Sequence, residues 1–348
     1  MKVEKKDIRS LSLAQLEEFF LSINEKKYRA AQIYEWLWKK SAIDFDSMTN
    51  LNQLLRDKLK QEFDFYPVSI HKSQKSLDGT IKNAIELFDK KIVESVLIPT
   101  EKRITACISS QVGCSLDCTF CATAQLERMR NLTVGEIVDQ VVTIDTQAKQ
   151  QFNMPLTNIV FMGMGEPLLN YTEVVKAIQK ITAGNGLNMA PKRITVSTSG
   201  IPKMIKKLAD ENLKVNLALS LHSAIEKKRN EIMPFSVKFS LVEIMESLQY
   251  WYEKTKNKVT FEYVVWKNFN DKTEDINALV NYAKKVPSKV NIIEYNSIGE
   301  EKFQNAEEEI IHQYVETLAK NKIQVNVRKS RGKDIDAACG QLANKTQY

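Results

Sequence analysis

The sequence predicts an α/β fold, a parallel sheet curved into an open, partial (β/α)6 barrel, preceded by a small N-terminal helical accessory domain and a β-hairpin linker. Three observations carry that expectation. From Arg103 onward, short apolar and β-branched runs alternate with segments of helical period, a pattern that right-handed crossovers turn into a parallel sheet. Two of those helical segments begin with capping boxes, Thr133-Val-Gly-Glu136 and Ser240-Leu-Val-Glu243, whose side chains satisfy free N–H groups of the first turn. Before residue 70 the alternation is missing, and apolar side chains recur three and four apart.

That early spacing predicts helices over residues 11–21, 28–40 and 50–63, within an accessory domain spanning 1–75. Its basic and acidic side chains nearly balance, so a packed cap with solvated charges and an RNA-docking module both remain open. Residues 80–98 form two alternating runs about a polar turn, the signature of a hairpin, and the linker is drawn at 76–100. The core follows over 101–334, with strands expected at 104–110, 158–164, 193–198, 215–221, 259–265, 290–295 and 324–328. Residues 335–348 form a C-terminal segment.

In such a sheet, active groups belong at the carboxyl ends of the strands. The polar residues fall there: Cys114, Cys118 and Cys121 after the first core strand, Gly163-Met-Gly165-Glu166-Pro167 after the second, Ser197-Thr-Ser199-Gly200 after the third. The fourth ends in Ser220-Leu221-His222 and the sixth in Asn296. Each alone could be an ordinary turn, and His222 could be a core histidine bonded to backbone. Their shared position on one rim is what singles them out.

Three of the five cysteines lie in one loop at Cys-x3-Cys-x2-Cys spacing. Three thiolates can bind three irons of a 4Fe-4S cluster and leave the fourth iron open. A structural zinc site is the alternative, with Cys107 as a fourth ligand. The spacing, with Phe120 before the last cysteine, resembles the radical S-adenosylmethionine (SAM) superfamily, whose open iron chelates SAM and delivers the electron that cleaves it. With SAM across the rim, glycines 163 and 165 permit close backbone approach and Glu166 accepts from the SAM ammonium group. Ser197, Ser220 and Asn296 suit its ribose hydroxyls or carboxylate, beside Leu221 and His222.

Composition bounds the setting. The net charge of +7 leans toward an acidic partner such as RNA, although it could equally aid solubility. No run of about 18 apolar residues is present and the start lacks a signal-peptide core, so the expectation is a cytoplasmic protein without a membrane partner. In a reducing compartment, five cysteines favour metal or catalytic thiols over a disulfide framework.

The segments Cys107-Ile-Ser-Ser-Gln-Val-Gly-Cys114, Cys118-Thr-Phe-Cys-Ala-Thr-Ala124, Arg130-Asn-Leu-Thr133, Met162-Gly-Met-Gly-Glu-Pro-Leu-Leu-Asn170, Ser197-Thr-Ser-Gly200 and Asp334-Ile-Asp-Ala-Ala-Cys-Gly-Gln-Leu342 resemble the RlmN family of RNA adenine-C2 methyltransferases. The match spans most of the chain. The resemblance implies two SAM molecules per turnover. Cys339 takes a methyl group from the first; the second is cleaved at the cluster on Cys114, Cys118 and Cys121, and its radical removes hydrogen from the S-methyl group. The methylene radical adds to adenine C2, Glu94 accepts the C2 proton, and Cys107 attacks the Cys339 sulfur to release product and leave a disulfide. It further implies 23S ribosomal RNA and transfer RNA as substrates (adenosines 2503 and 37), an electron donor such as flavodoxin or ferredoxin, and a monomer.

From its alternating run alone, Glu94 would be a solvated strand residue. Arg328, Lys329, Arg331 and Lys333, with Lys192, Arg193, Lys203, Lys206 and Lys207, could contact phosphates or form a solvated basic surface. The related C8 methyltransferases share many motifs but typically carry Gly-Glu-Ala where Gly165-Glu166-Pro167 stands. A zinc-stabilised RNA-binding protein without catalysis is the reading from another class. The chain departs from the family pattern after Ala124, in Gln-Leu-Glu-Arg-Met129, and after Asn296, in Ser-Ile-Gly-Glu-Glu-Lys-Phe303.

Overall fold

The computed structural model describes residues 5–299 and 302–343. The first four residues of the expected accessory domain, Glu300 and Glu301 of the loop after Asn296, and the last five residues of the C-terminal segment lie outside the described residues.

Helices α1 (Leu13–Ser22), α2 (Tyr28–Trp38) and α3 (Gln53–Glu62) occupy the region whose spacing predicts them. Ser12 and Gln15 close a capping box on α1, and Asn52 caps α3 through Leu55 N–H at 2.8 Å. The inward faces of these helices, with Leu16, Phe20, Ile33, Leu37 and Leu59, are buried in one continuous core with the sheet.

The chain then enters one sheet, in which ten strands are seen among the described residues and neighbour order follows chain order. Strands β1 (Ser69–Lys75), β2 (Ile81–Glu86), β3 (Ile92–Thr100) and β4 (Arg103–Cys107) pair antiparallel. From β4 on, pairing is parallel through β5 (Asn158–Phe161), β6 (Ile194–Thr198), β7 (Asn216–Ser220), β8 (Val259–Val264), β9 (Ser288–Ile293) and β10 (Gln324–Arg328). The crossovers carry α4 (Val134–Phe152), α5 (Tyr171–Thr182), α6 (Pro202–Asp210), α7 (Glu226–Ile232), α8 (Leu241–Thr255), α9 (Thr273–Ala283) and α10 (Glu308–Lys320). Both predicted capping boxes are formed, Thr133 with Glu136 on α4 and Ser240 with Glu243 on α8. Because β1 and β10 remain edges, the barrel is open.

Three differences from expectation have local causes. The hairpin is sheet continuous with the core, since Val96 to Thr100 pair with β4. It also gains β1, whose sequence Ser-Ile-His-Lys-Ser-Gln-Lys is almost wholly polar and exposed, as suits an edge, and so shows no alternation to read. The expected strand at 104–110 ends early: Ser109 N–H turns to Gln140 Oε1 at 2.9 Å and Ser110 N–H to Met164 O at 2.9 Å.

A buried ion cluster fixes the helical cap to the barrel. Arg9, 3% exposed, donates to Asp139 on α4 at 2.6 Å, to Asp7 at 2.9 Å and to Tyr66 O at 2.7 Å. Gly135 leaves room for it: an added Cβ would stand 2.9 Å from the guanidinium carbon. Breaking such a pair strands a buried charge, so the contact is strongly held once formed.

Candidate active site

The loop from Gly113 to Cys121 is pinned on several sides. Gly113 sits at φ 74°, where an added Cβ would meet Glu127 O at 2.2 Å, so the turn requires glycine. Thr119 N–H donates to Ile232 O at 3.0 Å, Phe235 N–H to Asp117 Oδ1 at 2.8 Å and Ala122 N–H to Gly340 O at 2.7 Å. An apolar seat of Leu116, Met233, Phe235, Val264 and Trp266 packs against Cys114, Cys118 and Phe120. The Phe120 ring centroid lies 4.8 Å from that of His222 and 5.3 Å from that of Trp266.

Burial in this seat pushes the Cys114 thiol up to about 11 and raises those of Cys118 and Cys121, with Cys121 and Cys114 adding to the effect on Cys118. Thiols held in this way ionise when a metal replaces the proton. The soft donor set, spread around a loop, fits an iron–sulfur group.

A cleft of about 920 Å³ opens between this loop and the sheet rim. Gly165, Glu166, Ser197, Ser220, His222 and Asn296 line it from the strand ends, with Cys118 and Cys121 from the loop. Leu221 is fully buried outside the lining, its N–H given to Glu262 O at 3.0 Å. The glycines crowd neighbouring chain: a Cβ at Gly165 would lie 2.5 Å from the Gln111 side chain, and one at Gly163 2.7 Å from Ile108 O. Burial raises the Glu166 carboxyl, offset by Ser199 N–H at 2.8 Å and Leu168 N–H at 3.0 Å. Asn296 Nδ2 donates to Cys339 O at 3.3 Å, while its Oδ1 is buried without a hydrogen-bond partner among the described residues. His222 Nδ1 accepts from Val264 N–H at 3.2 Å, which assigns the ring proton to Nε2. An acceptor at Asn296, a carboxylate at Glu166 and a glycine cradle suit a nucleoside with an ammonium group, and so fit SAM.

Cys339 is exposed to solvent on the wall between this cleft and a second cavity of about 600 Å³, which Cys107 also lines. Burial pushes the Cys107 thiol up, Cys339 adds to the shift, and Arg328 opposes it. For Cys339, surrounding protein raises the thiol and Arg328 again opposes, while Glu262 and Cys121 act in the raising direction. Cys339 therefore lies within electrostatic reach of Cys121 on one side and Cys107 on the other.

The segment bearing Cys339 is held at both ends. Asp334 accepts from Ser76 Oγ–H at 2.5 Å and Leu77 N–H at 3.1 Å, and Asp78 accepts from Gly332 N–H at 3.0 Å. Beyond the cysteine, Gln341 Nε2 donates to Ser297 O at 3.0 Å, Thr123 bonds to Leu342 O, and Ala343 N–H donates to Glu94 Oε2 at 2.8 Å. Glu94 is 1% exposed, with Lys82 Nζ 3.5 Å from Oε1, which departs from the solvated strand residue its sequence run suggests. It lines neither cavity.

Of the basic candidates, Arg328, Lys329 and Arg331 line the second cavity, and Lys333 pairs with Glu294 at 2.9 Å. Lys192, Arg193, Lys203, Lys206 and Lys207 are exposed and line neither cavity. The sequence reading missed Glu262 and Glu294, which line the cleft from the ends of β8 and β9. Both lie inside the expected strands, so counting inward-facing positions along them would have found them.

Residues 6–64 match the family described as ribosomal RNA large subunit methyltransferase N-terminal domain, and residues 108–280 match the radical SAM superfamily. A Flavobacterium psychrophilum protein described as a probable dual-specificity RNA methyltransferase RlmN is 60% identical over 345 residues, covering 99% of each chain. A Fervidobacterium nodosum protein of the same description is 41% identical over 345 residues, covering 98% of each. The crystal structure of a radical SAM methyltransferase from Sphaerobacter thermophilus matches with a TM-score of 0.90 at 36% identity, covering 97% of this chain and 99% of that one.

Proposed function

Because the chain belongs to the RlmN family of radical SAM RNA methyltransferases, we propose that it methylates adenine C2, at adenosine 2503 of 23S ribosomal RNA and adenosine 37 of transfer RNA, through a methyl group carried on Cys339. It is a transferase, and its cofactors are a 4Fe-4S cluster and SAM. When bound, these supply a carbon radical able to remove hydrogen from an S-methyl group. The observation that carries the reading is the position of Cys339, shared between a cleft reaching Cys118 and Cys121 and a cavity reaching Cys107.

The chain's own residues divide the work. Cys114, Cys118 and Cys121 hold the cluster, and Glu166 and Asn296 orient SAM by accepting hydrogen bonds. Arg328 favours the Cys339 thiolate that a nucleophile requires. Methylated and then deprived of hydrogen, Cys339 adds its methylene carbon to the adenine. Glu94 takes the C2 proton, which requires its carboxylate to exchange the Ala343 N–H for the base. Cys107 then attacks the Cys339 sulfur: the sulfur–methylene bond breaks and the methylene carbon takes the Cys107 proton to become the methyl group. The unpaired electron left by radical addition passes to the oxidised flavodoxin or ferredoxin, and the Cys107–Cys339 disulfide so formed is reopened by an external reductant.

Arg328, Lys329 and Arg331 at the second cavity supply positive charge for the RNA backbone. A flavodoxin or ferredoxin supplies electrons, and the protein works as a cytoplasmic monomer. No helix among the described residues is long and apolar enough to cross a membrane. Gly165-Glu166-Pro167 favours C2 over C8, and family membership sets aside the zinc-binding reading. The test is mass spectrometry of nucleosides after anaerobic turnover with unmodified RNA. The expected product is 2-methyladenosine that disappears in Cys339→Ala, whereas 8-methyladenosine, or product made without Cys339, would contradict the proposal.

A further inference from the structure

Arg229, in the middle of α7, has no part in the chemistry above. It is 1% exposed. Its Nη2 donates to Ser199 O at 2.5 Å and to Ser220 O at 3.4 Å, tying together the loops after β6 and β7. Its Nε is buried without a hydrogen-bond partner among the described residues. Glu226, one turn away on the same helix, reaches it electrostatically but is itself exposed to solvent. Glu166, across the Ser199 peptide, gives its carboxylate to backbone N–H groups.

A guanidinium buried with two carbonyls and a bare N–H is costly unless an anion compensates it. Burial accordingly pulls this group down to about 10, which no ordinary surface arginine approaches. Ile232 and Met233, at and just after the end of the same helix, pack in one cluster with Cys114, Cys118 and Phe120 of the cysteine loop. The end of α7 is also bonded to the loop, since Ile232 O accepts both the N–H and the hydroxyl of Thr119. Three thiolates on a 4Fe-4S core leave that centre net negative in both redox states, and more so when reduced.

We propose that Arg229 is a positioning residue that provides the fixed counter-charge of the iron–sulfur centre and thereby favours its reduced state. The inference rests on Cys114, Cys118 and Cys121 being the cluster ligands. A cation in a desolvated site acts almost unscreened by salt, and net charge near a cluster is one of the levers that set its potential. Arginine suits the position because its fork holds two carbonyls while the charge persists at any working pH.

The experiment is a potentiometric titration of the reconstituted protein, read by the electron paramagnetic resonance signal of the reduced cluster, for wild type, Arg229→Gln and Arg229→Lys. Glutamine keeps a donor for Ser199 O but removes the charge; lysine keeps the charge but not the fork. The expected result is a midpoint in R229Q lower by about 59 mV or more, a tenfold change for a one-electron couple, with R229K close to wild type. An R229Q midpoint equal to wild type, with the cluster intact, would overturn the inference and leave Arg229 a strut between two loops. Should R229Q assemble no cluster, assembly in R229K at an unchanged potential supports the charge requirement, and failure of both variants overturns it. A wild-type protein that holds no reducible cluster would instead remove the ligand assignment itself.

Discussion

His222 is one of the described residues whose backbone lies in the left-handed region, at φ 56°. Only the surrounding structure can hold a side chain other than glycine there, and such positions gather at functional sites. Here Asn270 Nδ2 donates to His222 O at 2.8 Å, and the ring is packed against Phe120 and Trp266. Burial, helped by the charge of Arg229, pushes the imidazole down to about 3. The unfolded chain binds that proton below about 6.5 while the folded one refuses it until about 3, so stability falls with pH across that window. Between pH 7 and pH 5 the wild type should lose about 2 kcal/mol more unfolding free energy than His222→Gln, measured by urea denaturation at each pH. Parallel losses in the two proteins would contradict a neutral, buried His222. The sequence places this histidine at a strand end, but whether it is desolvated depends on aromatic residues from two distant loops, which spacing cannot reveal.

The C-terminal segment is the element whose placement the sequence leaves most open. Its motif marks Cys339, yet nothing in Asp334-Ile-Asp-Ala-Ala-Cys339 states what the two aspartates bind. In the structure Asp334 reaches back to Ser76 and Leu77, and Asp78 reaches forward to Gly332, so the β1–β2 turn and the segment grip each other reciprocally. Burial raises the Asp78 carboxyl, but hydrogen bonds from Thr80, Gly332 and Ser76 outweigh it and hold the group at about 2. Replacing Asp78 and Asp334 together by alanine removes the charged acceptors of Ser76, Leu77 and Gly332. Amide exchange over residues 332–343 should then quicken at least tenfold, while β7 and β8 remain protected. Unchanged protection of the segment would show that its position is set by Gln341, Thr123 and Glu94 instead. This pairing links residues more than 250 positions apart and leaves no periodicity to read.

For the whole molecule, the parallel core was legible because β4 to β9 are buried strands of β-branched and apolar residues between amphipathic helices. The polar edge strand β1 and the Arg9 clamp to Asp139 were not, since each is defined by tertiary contact and not by local pattern. The open sheet lets the C-terminal segment carry Cys339 from the β10 edge back to the strand ends, between the cleft at the cysteine loop and the cavity at Cys107. In the proposed mechanism Cys339 carries the methyl group from the first and Cys107 releases it from the second. The most direct measurement is turnover of Cys107→Ala with SAM, reductant and unmodified RNA, followed by denaturing electrophoresis and peptide mapping. The arrangement predicts a covalent protein–RNA species joined through Cys339, because nothing remains to attack its sulfur. No adduct under conditions where SAM is consumed and the wild type methylates RNA, or a linkage at another residue, would contradict it.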